Sequence, residues 1–241
     1  MELSRENIWG YIDNKFNELS IEKGCLYVVS TPIGNLDDIS FRALFILKNV
    51  DYVASEDTRV TGILLKEYGI QTKQISYFAQ VEQKKLDDLI GKLKDGNSIA
   101  LVSDAGTPGI SDPGNILVSK CIEEGIEVRS IPGASSLIHS IVVSGFNSSK
   151  FYFQGFLPQK KGRSGILDEL KEIKMPIVIF ESKYKMSKTL NDLLKVFGNK
   201  EVSISRELTK KFEETLRGRL KDIVKQQLKL KGEFVIIINN N

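Results

Sequence analysis

The sequence has little of what metal and redox chemistry requires, with two cysteines and one histidine in 241 residues. Cys25 and Cys121 lie far apart and match neither a zinc nor a dithiol spacing. Both are expected to be buried as small hydrophobes. His139 stands alone in Ser135-Ser136-Leu137-Ile138-His139-Ser140 and is expected to be packed or capped on a helix. No metal is expected. Long hydrophobic runs are missing too: Phe234-Val235-Ile236-Ile237-Ile238 is strand-sized, far short of the ~20 residues that span a bilayer. No membrane partner is therefore expected. Residues 1–20 hold no signal-type apolar stretch, so they read as a short amphipathic helix or an arm, and the cytoplasm is the expected compartment. Three familiar signatures are also absent. No Gly-x-Gly-x-x-Gly occurs, which excludes a nicotinamide fingerprint and the common glycine-rich methyltransferase loop. Gly91 and Gly96 have P-loop separation, but Asn97 and Ser98 stand where Lys-Ser/Thr is required. No Gly-x-Ser-x-Gly elbow exists for a serine hydrolase.

What is present describes an ordinary globular chain, 41% hydrophobic and 27% charged, long enough for one large domain or two small ones. The net charge of +3 conceals a division. Residues 1–149 hold 14 Lys and Arg against 20 Asp and Glu, a net −6, while residues 150–241 hold 20 against 11, a net +9. That asymmetry points to an anionic macromolecule on the C-terminal half, or else to solvated lysine-rich helix faces. Short β-branched runs at 25–31, 50–56, 99–104, 128–132, 151–156, 176–181, 201–206 and 233–239 read as strands. Amphipathic stretches at 39–48, 81–94, 115–124, 135–144, 183–197 and 220–230 read as helices. Such alternation predicts an α/β fold. The small, polar stretch 144–149 marks the expected boundary. The expected parts are an extension (1–22), an α/β domain (23–147) and a basic α/β domain (150–241).

Four strand ends carry chemistry. Thr31-Pro32-Ile33-Gly34-Asn35 closes the first strand, with Pro32 keeping Thr31 extended. Alone it is a generic turn. The run Ser103-Asp104-Ala105-Gly106-Thr107-Pro108-Gly109-Ile110-Ser111-Asp112-Pro113-Gly114 is unusual, with three glycines, two prolines and two aspartates. Its backbone is stiff at the prolines and open at the glycines, which suits close contact with a flat or extended ligand; a loop that only joins strand to helix is the plainer reading. Asp104 suits a cationic or hydroxyl-bearing ligand. Ile131-Pro132-Gly133-Ala134-Ser135 forms a third junction, and ligands of open α/β sheets bind at such carboxyl ends. The fourth is Glu56-Asp57-Thr58-Arg59. Its acids either serve a reacting proton while Arg59 holds a phosphate, or they cap a helix and pair with Arg59. Lys160-Lys161-Gly162-Arg163, with Arg206, Lys210 and Lys211, are the candidates for contact with a phosphate backbone.

The segments 26–36, Ser55-Glu56-Asp57-Thr58-Arg59 and 103–114 resemble the tetrapyrrole-methylase superfamily, and more narrowly its bacterial branch of 16S rRNA cytidine 2′-O-methyltransferases. Ile131-Pro132-Gly133, Gly155-Phe156-Leu157-Pro158, Arg206-Glu207-Leu208-Thr209-Lys210 and Lys231-Gly232-Glu233 extend the likeness in one colinear order over 24–239. The resemblance implies two α/β domains with S-adenosyl-L-methionine in the cleft between them, usually as a homodimer. It implies Ser103, Asp104, Ala105, Gly106, Ala134 and Ser135 as cofactor contacts, with Pro32 near the methyl-transfer face. The implied substrate is a cytidine ribose in the decoding region of 16S rRNA, free or in the small ribosomal subunit. Asp57 or Glu56 would then receive or orient the hydroxyl proton, with Arg59 on a phosphate. Lys160, Lys161, Arg163, Arg206 and Lys210 would contact RNA. Two family histidines are missing: Phe78-Ala79-Gln80-Val81-Glu82 and Glu181-Ser182-Lys183-Tyr184-Lys185 stand in their places. Two other readings stay open, a corrinoid or porphyrinoid methyltransferase of the same superfamily and a non-catalytic ribosome-binding module.

Overall fold

The computed structural model describes residues 7–77, 83–112, 114–226 and 231–241. Two compact units divide between Ser135 and Ser136.

The first unit runs α1 (Ile8–Lys15), β1 (Leu26–Val29), α2 (Phe41–Asn49), β2 (Tyr52–Ser55), α3 (Thr58–Glu67), β3 (Lys73–Ser76), α4 (Gln83–Lys94), β4 (Ile99–Val102), α5 (Asn115–Glu123) and β5 (Val128–Ile131). The strands form one sheet in the order β3-β2-β4-β1-β5, every pair parallel. Parallel strands need crossover connections, and the helices between them bury both faces of the sheet. Ile99-Ala100-Leu101-Val102 is accordingly buried throughout. Alternation along β1 sends Tyr27 and Val29 to a core shared with α1, α2 and α3, and Leu26 to a core shared with α4 and α5. Helix α2 begins where the Ser40 hydroxyl accepts a hydrogen bond from the Ala43 N–H at 3.1 Å.

Helix α1 is neither an arm nor a separate extension. Ile12 is fully buried, and the Trp9 indole N–H donates to the Tyr68 carbonyl at 2.9 Å. Tyr11 meets Phe41 edge-on at 5.2 Å and Phe16 lies 5.4 Å from Phe45, so the segment is part of the first core.

The second unit contains α6 (Ser136–Ser144), β6 (Tyr152–Phe156), α7 (Arg163–Glu172), β7 (Ile177–Ser182), α8 (Met186–Phe197), β8 (Glu201–Arg206), β9 (Glu214–Arg219), α9 (Leu220–Lys225) and β10 (Glu233–Ile238). Its sheet has the order β6-β7-β10-β8-β9; only β6 and β7 pair in parallel. Ile177, Ile179, Ile204 and Ile236 pack with α7, α8 and α9, while Val178, Val235 and Ile237 pack with Ile141 of α6. That packing assigns α6 to the second unit and moves the division ahead of the small, polar stretch that sequence alone marks. The move leaves the charge split intact, because residues 136–149 contain no Asp, Glu, Lys or Arg.

Cys25 and Cys121 are both buried, and burial pushes the Cys121 thiol up to about 12. His139 is exposed on α6, where the sequence suggested a histidine packed or capped on a helix. Among the described residues no helix is long and apolar enough to cross a membrane. A cavity of about 560 Å3 lies at the amino-terminal ends of β2 and β3, lined by Lys48, Asp51, Thr72 and Lys73 among others.

Candidate active site

The carboxyl ends of β1, β4, β2 and β5 bring the sequence-marked loops of the first unit together. β1 and β4 are neighbours in the sheet, yet the chain leaves them in opposite lateral directions, toward β2 and β5. A switch of that kind opens a crevice beyond the strand ends. The loops there are tied to each other. Thr31 and Gly106 form an antiparallel bridge, with Thr31 N–H to Gly106 C=O at 2.8 Å and Gly106 N–H to Thr31 C=O at 3.1 Å. The Thr31 hydroxyl donates to the Ser103 carbonyl at 3.1 Å, and the Ser30 and Thr107 hydroxyls lie 2.8 Å apart. The third junction closes on the same point. A Cβ on Gly133 would stand 3.0 Å from the Ser30 Cβ and 3.3 Å from its carbonyl, so only glycine allows this approach without a shift. Gly106 in turn faces the Ala134 carbonyl and the Ile33 side chain.

Pro32, Ser103, Gly106 and Ala134 are therefore buried supports, Ser135 is half-buried, and Asp104 and Ala105 are exposed toward solvent. Pro113 lies outside the described residues. Ser30 and Thr107 complete the tie; nothing in the sequence distinguishes their hydroxyls from those of other strand-end residues.

The β2 end adds carboxylates. Asp104 accepts from the Asp57 N–H at 3.0 Å, linking this loop to the others. Burial first, then the carboxylates of Asp104, Asp112 and Asp57, push Glu56 above the usual glutamate range. Asp57 behaves in the opposite way. It caps α3 by accepting from the Arg59 N–H at 2.8 Å, and it accepts from the Arg59 guanidinium at 2.6–3.2 Å. These bonds hold Asp57 down at about 2. A carboxylate so stabilised as the anion is a poor proton acceptor. For Asp57 and Arg59 the geometry thus favours the capping reading over the catalytic one.

The basic candidates separate likewise. Lys160, Lys161 and Lys210 are exposed, whereas Arg163 and Arg206 are buried. Arg163 donates to Asp192 at 2.9 Å, to the Pro158 carbonyl at 3.1 Å and to the Thr189 hydroxyl at 2.7 Å. The Thr189 hydroxyl in turn donates a hydrogen bond to the Glu181 carboxylate at 2.5 Å. Arg206 donates to Glu214 at 2.7 Å across the β8–β9 pair. Both guanidiniums are committed to structure, which corrects their expected place on RNA. Of the two segments where family histidines are missing, 78–82 lies outside the described residues; Tyr184 in the other is 85% exposed. Tyr77 belongs to the core.

The acidic cluster suits a ligand bearing positive charge, and the closely packed backbone of the joined loops suits one held in extended contact. Among the described residues no group of His, Cys, Asp and Glu could hold a metal ion. The parallel first sheet, with loops closing over its switch point, and the mixed second sheet define a two-unit α/β fold. The fold is shared with uroporphyrin-III-C-methyltransferase from Thermus thermophilus, at a TM-score of 0.63 and 15% identity over 90% of this chain and 95% of that one. The chain belongs to the Tetrapyrrole (Corrin/Porphyrin) Methylases, whose family model matches residues 25–224, and these are S-adenosyl-L-methionine-dependent enzymes. It is similar to the ribosomal RNA small subunit methyltransferase I of Halalkalibacterium halodurans, 47% identical over 91% of this chain and 77% of the relative. The protein of the same name from Thermotoga maritima is 44% identical over 90% of this chain and 98% of its own length.

Proposed function

We propose that this protein methylates the 2′-hydroxyl of a cytidine in the decoding region of 16S rRNA, in the cytoplasm. The reading rests above all on the relatives named ribosomal RNA small subunit methyltransferase I, which align over 91% and 90% of this chain. The joined loops supply the chemistry. S-adenosyl-L-methionine brings a methyl group already activated on a sulfonium. Ser103, Asp104, Ala105, Gly106, Ala134, Ser135 and Pro32 are the residues that would hold it. Orientation is then the main task, and a well-aligned encounter is worth about 7–11 kcal/mol. When bound, the cofactor would supply its methyl group to the ribose oxygen, and Glu56 would receive the hydroxyl proton. Its raised pKa makes it the better base of the pair. Lys160, Lys161 and Lys210 contact the RNA.

Mass spectrometry of rRNA ribose methylation, with and without the protein, tests the reaction; an unchanged methylation pattern would sink it. Titration with S-adenosylhomocysteine separates an enzyme from a non-catalytic module, and methylation of a porphyrinoid in place of rRNA would favour the small-molecule alternative. Glu56→Gln is expected to lower turnover by about 10²–10⁴-fold, the usual worth of a positioned base. The same change should leave the melting temperature at neutral pH equal or higher, because a carboxyl with a raised pKa costs stability once ionised. A homodimer belongs to the same proposal, and light scattering in solution tests it.

A further inference from the structure

One end of the second sheet gathers groups that methyl transfer in the first unit does not use. Register fixes the juxtaposition: Glu233 pairs with Ser182, Phe234 with Arg206, and Arg206 with Glu214. The turn after β7, the turn after β8 and the segment entering β10 therefore emerge side by side. The first turn is Lys183-Tyr184-Lys185, with Tyr184 85% exposed and the Lys183 ammonium 4.9 Å from its ring centroid. The second carries Lys210-Lys211-Phe212, with Phe212 65% exposed and the Lys211 ammonium 5.8 Å from its ring. Each turn thus presents an exposed aromatic ring with a cation over one of its faces.

The second turn is also held firmly. Glu207 and Thr209 have φ of 51° and 67°, a left-handed conformation uncommon for any residue but glycine and most strained for the β-branched Thr209. Lys210 N–H bonds the Glu207 carbonyl at 3.0 Å, and Thr209 N–H bonds the Glu213 carboxylate at 2.6 Å. Gly232, ahead of β10, lies so close to Glu207 that any Cβ there would collide with the carboxylate. Strain of this kind persists only where the surroundings enforce it, and it concentrates at working surfaces. What it presents outward here is Phe212 and its lysines.

We propose that Tyr184 and Phe212 are stacking platforms for unpaired bases of single-stranded RNA, with Lys183, Lys185 and Lys211 holding the adjoining phosphates. The proposal deepens the rRNA reading and rests on it. Ring and ammonium together match the two halves of a nucleotide, the flat base and its phosphate. The second unit has a net charge of +9, so its field also favours a polyanion. A duplex would engage the lysines but offer no free base faces to the rings.

Fluorescence anisotropy with a short unstructured RNA provides the test. Tyr184→Ala and Phe212→Ala are each expected to weaken binding about tenfold, the usual worth of one base stack. Tyr184→Phe should restore it, and affinity for a blunt RNA duplex should hardly change. S-adenosylhomocysteine binding, unaltered in each variant, reports an intact fold. If Phe212→Ala fails to fold, Lys183→Gln with Lys185→Gln must flatten the salt dependence of RNA binding. Wild type and both alanine variants binding unstructured RNA equally well would overturn the proposal, as would equal losses on duplex and single strand. A wild-type protein that binds no RNA would instead overturn the rRNA reading, and this proposal with it.

Discussion

Two pairs of neighbouring or like residues show how environment assigns roles that residue type does not. Glu56 and Asp57 are adjacent carboxylates, yet burial among other acids raises one while Arg59 lowers the other to about 2. Asp57 therefore contributes stability that is full above the unfolded aspartate value of about 4 and is lost as pH falls from there to about 2. The melting-temperature gap between wild type and Asp57→Asn should close across that acid window and be widest near neutrality; a gap independent of pH would contradict the capping role. Arg163 and Lys160 form the second contrast, basic residues three apart, one opening α7 and the other in the loop before it. Arg163 holds Asp192, Thr189 and a carbonyl in a buried network, so Arg163→Ala should cost about 3 kcal/mol in urea unfolding. Lys160→Ala, at an exposed position, should stay within about 0.5 kcal/mol.

At the scale of elements, the segment before β1 is the informative one. Its helix contributes a fully buried isoleucine to the first core, and Ile12→Ala is expected to cost about 2–5 kcal/mol by denaturant unfolding. A cost under about 0.5 kcal/mol, the range of exposed sites, would mean that α1 is only loosely applied. Strands that occupy the middle of either sheet were legible in the sequence, because burial on both faces demands continuous apolar runs such as Ile99-Ala100-Leu101-Val102. β3 and β9 were not legible. Each is an edge strand, and Lys73-Gln74-Ile75-Ser76 and Glu214-Thr215-Leu216-Arg217-Gly218-Arg219 have too few apolar residues to signal one. The loops of the site were legible from their glycines and prolines, but the tie between Thr31 and Gly106 was not, since pairing across that separation depends on strand order. Arg163 and Arg206 read as surface cations for the same reason: the acids that bury them arrive from α8 and β9.

The whole molecule carries an acidic first unit and a basic second one, and this division bears on how RNA would be held. Binding of a single strand should weaken with salt, and each phosphate contact removed should reduce the log–log slope by about 0.7. A Lys160/Lys161 double alanine variant with an unchanged slope would take those lysines off the interface.

The strand order of the first sheet has a consequence for biosynthesis. β1 is made well before either of its partners, because β4 and β5 lie some seventy to a hundred residues downstream. Until they emerge from the ribosome, an apolar strand waits with both edges open, the condition that invites mispairing and engages chaperones. The crevice cannot exist before β5 is made, so the nascent first unit acquires its competence only when the last strand of its sheet has been translated.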